Sequence, residues 1–90
     1  MVKITGLKRM TLDAIAGEIY QITFGAPGYV CVYNVTKEEL LIGDTGEFQN
    51  VDGVGNYVTM PSNSAISDYR HGGEIYIKAI QSGKVVVAKS

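Results

Sequence analysis

Short apolar runs, separated by turn-forming residues, are the feature that most constrains the fold of this 90-residue chain. About eight such runs occur, and Gly, Pro, Asn and Asp stand between them at intervals of roughly 8 to 12 residues. This spacing predicts an all-β fold, either a small antiparallel β-sandwich or a jelly-roll-like barrel of about eight short strands. No linker or repeat divides the chain, so we expect a single β domain over residues 1–90.

Apolar and polar residues alternate in several segments, as expected for strands with one buried face. Residues 9–14 have a helical alternative, because Leu12, Ile15 and Ile19 also fall at helical spacing. Gly17 would cost such a helix about 1 kcal/mol, so we favour a strand. The other predicted strands cover residues 18–24, 29–35, 40–42, 57–60, 65–69, 74–80 and 84–88.

Turn sequences predict how neighbouring strands connect. Residues 25–28 contain Pro27, which fixes its own φ, and flanking glycines that tolerate positive φ, so we expect a hairpin between the strands on either side. Residues 81–83 predict a second hairpin before the last strand. Residues 61–63 have the composition of a tight turn.

Residues 43–56 read as one long loop with four glycines, two asparagines and three acidic residues. Loops of this length are usually functional or mobile, so we expect a contact surface there. The acidic residues Asp44, Glu47 and Asp52 raise the question of calcium, but their spacing does not match a calcium-binding loop. We therefore expect no metal.

The sequence contains few residues that could act as catalytic groups. Cys31 is the single cysteine, and its apolar surroundings predict an inert thiol buried in a strand. His71 is the single histidine, and its position between Arg70 and two glycines predicts a solvated loop residue. A nucleophile without a base beside it is not activated. We therefore expect no catalytic residues, no cofactor and no enzymatic activity.

Composition narrows the choice of partners. The net charge is −1, which gives no electrostatic footprint for a nucleic acid. No segment approaches the roughly 20 apolar residues of a membrane span, and residues 1–6 do not resemble a signal peptide, so we expect no membrane partner. Hydrophobic residues reach 46% while charged residues are 19%, below the roughly 25% of an average soluble domain. This apolar excess indicates a protein partner.

Tyrosine is abundant, with six copies and no tryptophan. Tyr33, Tyr57, Tyr69 and Tyr76 lie at predicted strand positions. Their amphipathic rings can stack on sugars or anchor a protein interface, although they can equally cover the edge of a small core.

The last predicted strand carries three consecutive valines, Val85, Val86 and Val87. Both of its faces are therefore apolar, which suits a strand that is covered on both sides or pairs across subunits. The candidate interface residues are Tyr57, Tyr69, Tyr76, Val86 and Phe48.

About half of the chain, mostly in its C-terminal part, resembles small accessory proteins of tailed-bacteriophage virions, of the capsid-decoration or head-fibre type. The residues that carry the resemblance are Leu41-Ile42-Gly43-Asp44, Thr59-Met60-Pro61, Ser67-Asp68-Tyr69-Arg70, Glu74-Ile75-Tyr76-Ile77-Lys78-Ala79 and Gly83-Lys84-Val85-Val86-Val87. The resemblance implies a jelly-roll-like domain that decorates or cements a capsid or anchors a fibre, commonly as a homotrimer. It also implies synthesis in the host cytoplasm, a place in the virion, and no catalytic residues.

Two functional hypotheses follow. The first is a structural assembly protein that contacts copies of itself and a capsid or other virion protein, with its apolar strand faces buried between subunits. The alternative is a small glycan-binding β-sandwich module, in which tyrosine rings stack on sugars and polar side chains of residues 43–56 bind hydroxyl groups.

Overall fold

The structure, a computed structural model, describes residues 1–48, 50–51, 54–55 and 57–89. These residues form eleven strands and no helix, so this part of the chain contains no helix that could span a membrane. The strands are β1 (Val2–Thr5), β2 (Arg9–Ala14), β3 (Ile19–Thr23), β4 (Gly28–Asn34), β5 (Leu40–Gly43), β6 (Asn50–Val51), β7 (Val54–Gly55), β8 (Tyr57–Met60), β9 (Ala65–His71), β10 (Glu74–Ala79) and β11 (Gly83–Lys89).

Nine of these strands form two sheets that pack face to face as a β-sandwich, which confirms the predicted fold class. Sheet A has the order β1-β3-β10-β5-β8, and sheet B has the order β2-β11-β4-β9. Strands β6 and β7 form a separate two-stranded ribbon. The prediction of a purely antiparallel sandwich needs one correction, because β1 pairs with β3 in parallel at the edge of sheet A.

The chain alternates between the sheets, and this corrects both predicted hairpins. Strands β3 and β4, on either side of residues 25–28, belong to different sheets, and so do β10 and β11. Of the sequence neighbours within the two sheets, only β5 and β8 pair, and the segment between them carries the β6–β7 ribbon. Leaving out β1, each sheet has four strands, and the first and last strands, β2 and β11, pair. This is the connectivity of a jelly roll.

The core lies between the sheets and consists of the inward-facing residue of each pleat. Its fully buried aliphatic side chains come from both layers and are Ile22, Leu40, Ile42, Ile75 and Ile77 from sheet A, and Val30, Val32, Val85 and Val87 from sheet B. Strand β11 lies between β2 and β4 in the middle of sheet B. Val85 and Val87 therefore face the core, whereas Val86 lies on the outer face, as period-two alternation requires.

The structure also corrects the expected environments of the cysteine and the histidine. Cys31 is half-buried, because Val30 and Val32 on either side of it occupy the inward positions of β4. His71 is the last residue of β9 and only 5% exposed, so it is not a solvated loop residue. Strand β9 continues two residues beyond its predicted end, because its pairing with β4 extends to Gly28.

A polar network fixes the far end of β4. Asn34 is fully buried, and its Nδ2 donates to the carbonyl oxygens of Glu38 at 2.9 Å, Met60 at 3.2 Å and Pro61 at 3.1 Å. Its Oδ1 accepts from the Thr36 amide at 3.0 Å and the Thr36 hydroxyl at 2.6 Å. One side chain thus ties β4 to the chain before β5 and to the turn between β8 and β9.

The predicted long loop over residues 43–56 is only partly a loop. Gly43 belongs to β5, and residues 50–51 and 54–55 form the ribbon. Asp52, one of the acidic residues weighed for calcium, lies outside the described residues, as do residues 49, 53 and 56. Among the side chains that the structure describes, no group of three His, Cys, Asp or Glu residues is placed to hold a metal ion.

Candidate functional site

The most exposed aromatic side chains lie on the outer face of sheet B. Tyr29 is 49% exposed and Tyr33 is 45% exposed, and both belong to β4. At about 3.3 Å per residue they stand roughly 13 Å apart along the strand, with Cys31 between them on the same face. Their rings contribute little to the core, so they remain available to a ligand or a partner.

The register of sheet B places small side chains between larger ones. Val86 lies between Thr11 and Tyr33, while Ala88 lies between Arg9 and Cys31 in the next row. A shallow groove of about 230 Å³ results, which we call the sheet B groove. Its lining includes Arg9, Cys31, Tyr33, Ser67, Val86 and Ala88.

The sheet B groove combines an apolar floor with hydrogen-bonding groups. Val86, Ala88 and Cys31 supply apolar surface, Tyr33 adds an aromatic wall, and Arg9 and Ser67 supply a guanidinium and a hydroxyl. Such a surface suits a ligand that has both apolar faces and hydroxyl groups. The bulge in β9 opposite Cys31 interrupts the regular pairing of β9 with β4, and Asp68 in this bulge has a φ of 58°.

A second depression, which we call the end cleft, lies where several strands begin or end. It has a volume of about 600 Å³ and is lined by Pro27, Asp44, Arg70, His71, Gly72 and Glu74. These residues come from the chain before β4, the residue after β5, the end of β9, the turn that follows it and the start of β10. Arg70 pairs in register with Tyr29, so the end cleft adjoins the tyrosine-bearing face of sheet B.

Neighbouring side chains orient both carboxylates of the end cleft. The Tyr69 hydroxyl donates a long hydrogen bond of 3.4 Å to Asp44 Oδ1. The Tyr76 hydroxyl donates to Glu74 Oε1 at 3.2 Å, and Gln21 Nε2 donates to Glu74 Oε2. The remaining acceptor capacity of each carboxylate is therefore held in a defined direction.

The two tyrosines that bond these carboxylates stay protonated at neutral pH. Burial raises the pKa of Tyr69 to about 12, and the charge of Asp44 and the hydrogen bond to it act in the same direction. Burial likewise raises the pKa of Tyr76, followed by the charge and hydrogen bond of Glu74. Each phenol is thus a permanent donor to its carboxylate.

His71 is held in a defined protonation state. Its ring stacks on Phe24 with the centroids 4.6 Å apart, and its Nδ1 accepts from the Gly73 amide at 3.1 Å. This hydrogen bond assigns the proton of the neutral imidazole to Nε2. Burial lowers the pKa of His71, and the charge of Lys89 lowers it further, so the ring is neutral at pH 7.

The residues predicted as interface candidates do not form one surface, because three of them cluster on sheet A and the other two lie elsewhere. Val86 lines the sheet B groove, and Tyr69 points between the sheets and reaches the end cleft only through Asp44. Tyr57 and Tyr76 lie on the outer face of sheet A, one on each side of Gly43 in the register. Phe48 packs edge-on against Tyr57 with the ring centroids 5.8 Å apart.

Tyr57 and Tyr76 are half-buried beneath the chain that follows β5. A Cβ placed on Gly46 would lie 3.4 Å from the Tyr76 ring, which shows how closely this segment approaches it. Sequence reasoning singled out these two rings and did not select Tyr29 or Arg70. The sequence pattern could have identified Tyr29, because inward positions for Val30 and Val32 place Tyr29, Cys31 and Tyr33 on the opposite face of the strand.

No protein-family model and no curated protein matches the sequence. Among solved structures, the fold is similar to that of CBM_E1, a carbohydrate-binding module found in a sugar cane soil metagenome and solved in complex with cellopentaose and a gadolinium ion. The TM-score is 0.59 at 16% sequence identity, and the match covers 100% of this chain and 94% of that chain. The likeness establishes a shared β-sandwich fold.

Proposed function

We propose that the protein is a non-catalytic carbohydrate-binding module that holds a saccharide in the sheet B groove. The observation that carries the proposal is the pair Tyr29 and Tyr33 on one face of β4, each more than 40% exposed, of which Tyr33 lines the apolar groove. A pyranose ring has an apolar C–H face and a rim of hydroxyl groups, and tyrosine offers an apolar ring with a polar tip. The fold shared with a carbohydrate-binding module supports this assignment.

Different residues of the groove contact different parts of the sugar ring. Tyr33 and Val86 contact the apolar face of a sugar ring, and Arg9 and Ser67 hydrogen-bond its hydroxyl groups. Stacking contributes about 0.5–1.5 kcal/mol for each ring, and each hydrogen bond contributes about 0.5–1.5 kcal/mol net. Four such contacts on an open groove sum to about 2–6 kcal/mol, which corresponds to a dissociation constant of about tens of micromolar to tens of millimolar.

The test is binding of soluble oligosaccharides, chosen from a glycan array and measured by isothermal titration calorimetry. We expect Tyr33→Ala and Tyr29→Ala each to weaken binding by about fivefold or more, since each removes one stacking ring. Tyr57→Ala is the matched control, because it removes a tyrosine ring from the outer face of sheet A. An array without signal, or equal binding by the wild type and both sheet B variants, would refute the proposal.

We propose as a second candidate that the protein is a homo-oligomeric assembly protein of a bacteriophage virion. The observation that favours it is the apolar outer face of β11, where Val86 and Ala88 lie beside Tyr33 and Cys31 of the neighbouring strand. A second copy could cover this face, with a trimer favoured by the phage resemblance. Contact with a capsid or other virion protein, and a location in the virion, rest on that resemblance.

The two candidates use the same face, so the mass of the protein in solution separates them. Val86→Lys places a charge on the groove floor and should dissociate an oligomer built on this face, because a buried unpaired charge costs several kcal/mol. Light scattering over a concentration series measures the mass of both proteins. A wild type that is monomeric at every concentration excludes assembly through this face.

A further inference from the structure

We infer that the end cleft is a separate binding subsite for one uncharged sugar ring, reached by the end of a saccharide that lies on the tyrosine-bearing face of sheet B. The subsite rests on the saccharide binding proposed for the sheet B groove, and it narrows the ligand to saccharides with an uncharged sugar ring. The volume of about 600 Å³ falls within the roughly 300–1,000 Å³ of small-molecule sites. The cleft is therefore large enough for a sugar ring.

His71 provides the first polar group that lines the end cleft. The residue is only 5% exposed, its Nδ1 accepts from the Gly73 amide, and none of the described residues hydrogen-bonds its Nε2. No fully buried side-chain nitrogen of the described residues lacks a partner, so Nε2 keeps some contact with solvent. Because His71 lines the cleft, a ligand bound there can accept the hydrogen of Nε2.

The other polar groups complete a set suited to hydroxyl groups. Arg70 is exposed and supplies donors, and Asp44 and Glu74 supply acceptors whose direction is fixed by Tyr69 and Tyr76. A hydroxyl group donates one hydrogen bond and accepts others, so adjacent hydroxyls on a sugar ring use both kinds of group at once. The cleft thus matches a ring with several neighbouring hydroxyls better than an apolar ligand.

The charges of the end cleft select against acidic sugars. Two carboxylates face one guanidinium, and His71 is neutral, so the lining carries a net charge of about −1 at neutral pH. The carboxylate of a uronic acid would meet Asp44 or Glu74, and burying like charges together is unfavourable. A neutral ring meets no such penalty.

The register of sheet B connects the subsite to the proposed groove. Arg70, which lines the end cleft, lies beside Tyr29 on the adjacent strand. Pro27, which also lines the cleft, precedes Tyr29 by two residues. A ring in the cleft and a ring stacked on Tyr29 are therefore neighbours, which suits consecutive units of one chain.

The experiment is a titration followed by the backbone amide shifts of the intact protein. The probes are methyl glycosides of neutral hexoses and pentoses, a methyl glycoside of a uronic acid, and a neutral oligosaccharide. We expect a neutral methyl glycoside to shift the amides of Asp44, Arg70 and Gly72, with a dissociation constant in the millimolar range. The uronic acid glycoside should bind about fivefold more weakly or not at all, as expected for a like-charge contact.

Substitution of Arg70, compared with an exposed cation outside both proposed sites, assigns this binding to the cleft. Arg70→Gln should weaken binding of the methyl glycoside by about tenfold or more, the value of one charge-assisted hydrogen bond. Lys37→Gln is the control, because Lys37 is exposed and follows the far end of β4, and it should leave this binding unchanged. Shifts confined to Cys31 and Ala88, equal binding of the uronic acid, or an unaffected Arg70→Gln protein would overturn the subsite.

The outcomes also separate the subsite from the proposed function. If the oligosaccharide binds and depends on Tyr33 while no methyl glycoside reaches the cleft, the subsite is refuted and the carbohydrate-binding function stands. If a methyl glycoside binds the cleft while Tyr33→Ala leaves oligosaccharide binding unchanged, the groove is refuted and the subsite stands. If no saccharide binds at either place, both are refuted.

Discussion

Replacing Asn34 with alanine should destabilise the fold more than removing any exposed asparagine, because Asn34 satisfies groups on three segments. Its amide nitrogen serves three carbonyl oxygens, and its Oδ1 serves the amide and hydroxyl of Thr36. Some of these groups keep a second partner: the Thr36 hydroxyl also bonds the Glu38 carbonyl at 2.8 Å, and Ser64 bonds the Pro61 carbonyl at 2.6 Å. The number of polar groups left without a partner in the variant is therefore smaller than the number of hydrogen bonds that it loses.

Two groups then set the magnitude. The Thr36 amide loses its acceptor, the Met60 carbonyl loses the amide donor, and both residues are about 1% exposed. An unsatisfied buried polar group costs about 1–3 kcal/mol, so Asn34→Ala should lower the free energy of unfolding by about 3 kcal/mol. For a domain of this size that corresponds to a melting temperature lower by about 12–24 °C. It is also a large part of the total stability of about 5–13 kcal/mol expected for 90 residues.

Urea unfolding followed by circular dichroism measures this change, and an unchanged m-value shows that the midpoint shift reports stability. Asn63→Gly is the matched control, because Asn63 is an exposed asparagine in the nearby turn with a φ of 58° that glycine adopts readily. It should change stability by less than about 0.5 kcal/mol. A loss below about 1 kcal/mol for Asn34→Ala, at an unchanged m-value, would show that the network does not support the fold as argued.

Three further outcomes follow from the same structure. The pKa of His71 is lowered from 6.5, so the unfolded state binds a proton at a higher pH than the folded state does. The stability that neutral His71 contributes is therefore complete above pH 6.5 and is lost as the pH falls through the folded pKa. Urea midpoints of the His71→Gln protein should lack this dependence on pH. Asp68 has a φ of 58°, so Asp68→Val should lower stability by about 1–2 kcal/mol in thermal melts while Asp68→Gly should not. A Cβ on Gly83 would lie 2.9 Å from Thr36 Cα, so Gly83→Ala should cost about 1–3 kcal/mol, whereas Gly72→Ala, with open space around it, should melt as the wild type.

The fold class is predictable from the sequence because alternation and turn composition are local signals. Strand β4 is an example, since its apolar residues Val30 and Val32 alternate with outward positions. The pairing of strands is not local. Residues 25–28 and 81–83 reverse the chain as predicted, yet each connection leads into the other sheet. A turn specifies a change of direction, whereas the sheet that the next strand joins depends on distant partners such as the pairing of Val85 with Asn34.

The candidate site was less predictable for the same reason. His71 is followed by two glycines, which is typical of a solvated turn, but its pairing with Gly28 keeps it in β9 and turns its side chain inward. In the sequence, Tyr57 and Tyr76 lie at predicted strand positions just as Tyr29 and Tyr33 do, so the local pattern does not distinguish the two pairs. Their difference in exposure arises from Gly46 and Phe48 after β5, which pack against Tyr76 and Tyr57 on sheet A.

Jelly-roll connectivity explains why the end cleft and the Asn34 network lie at opposite ends of the molecule. Because the strands cross the sandwich at alternate ends, Asp44, Arg70 and Glu74 meet at the end where β4 begins, although they are far apart in sequence. Asn34 lies at the other end of β4, roughly 20 Å away at about 3.3 Å per residue. A substitution of Asp44 or Arg70 should therefore leave the Asn34 network intact. Glu74 differs from these two residues, because its carboxylate also bonds with Gln21 and Tyr76 on the outer face of sheet A, so a substitution of Glu74 also changes packing there.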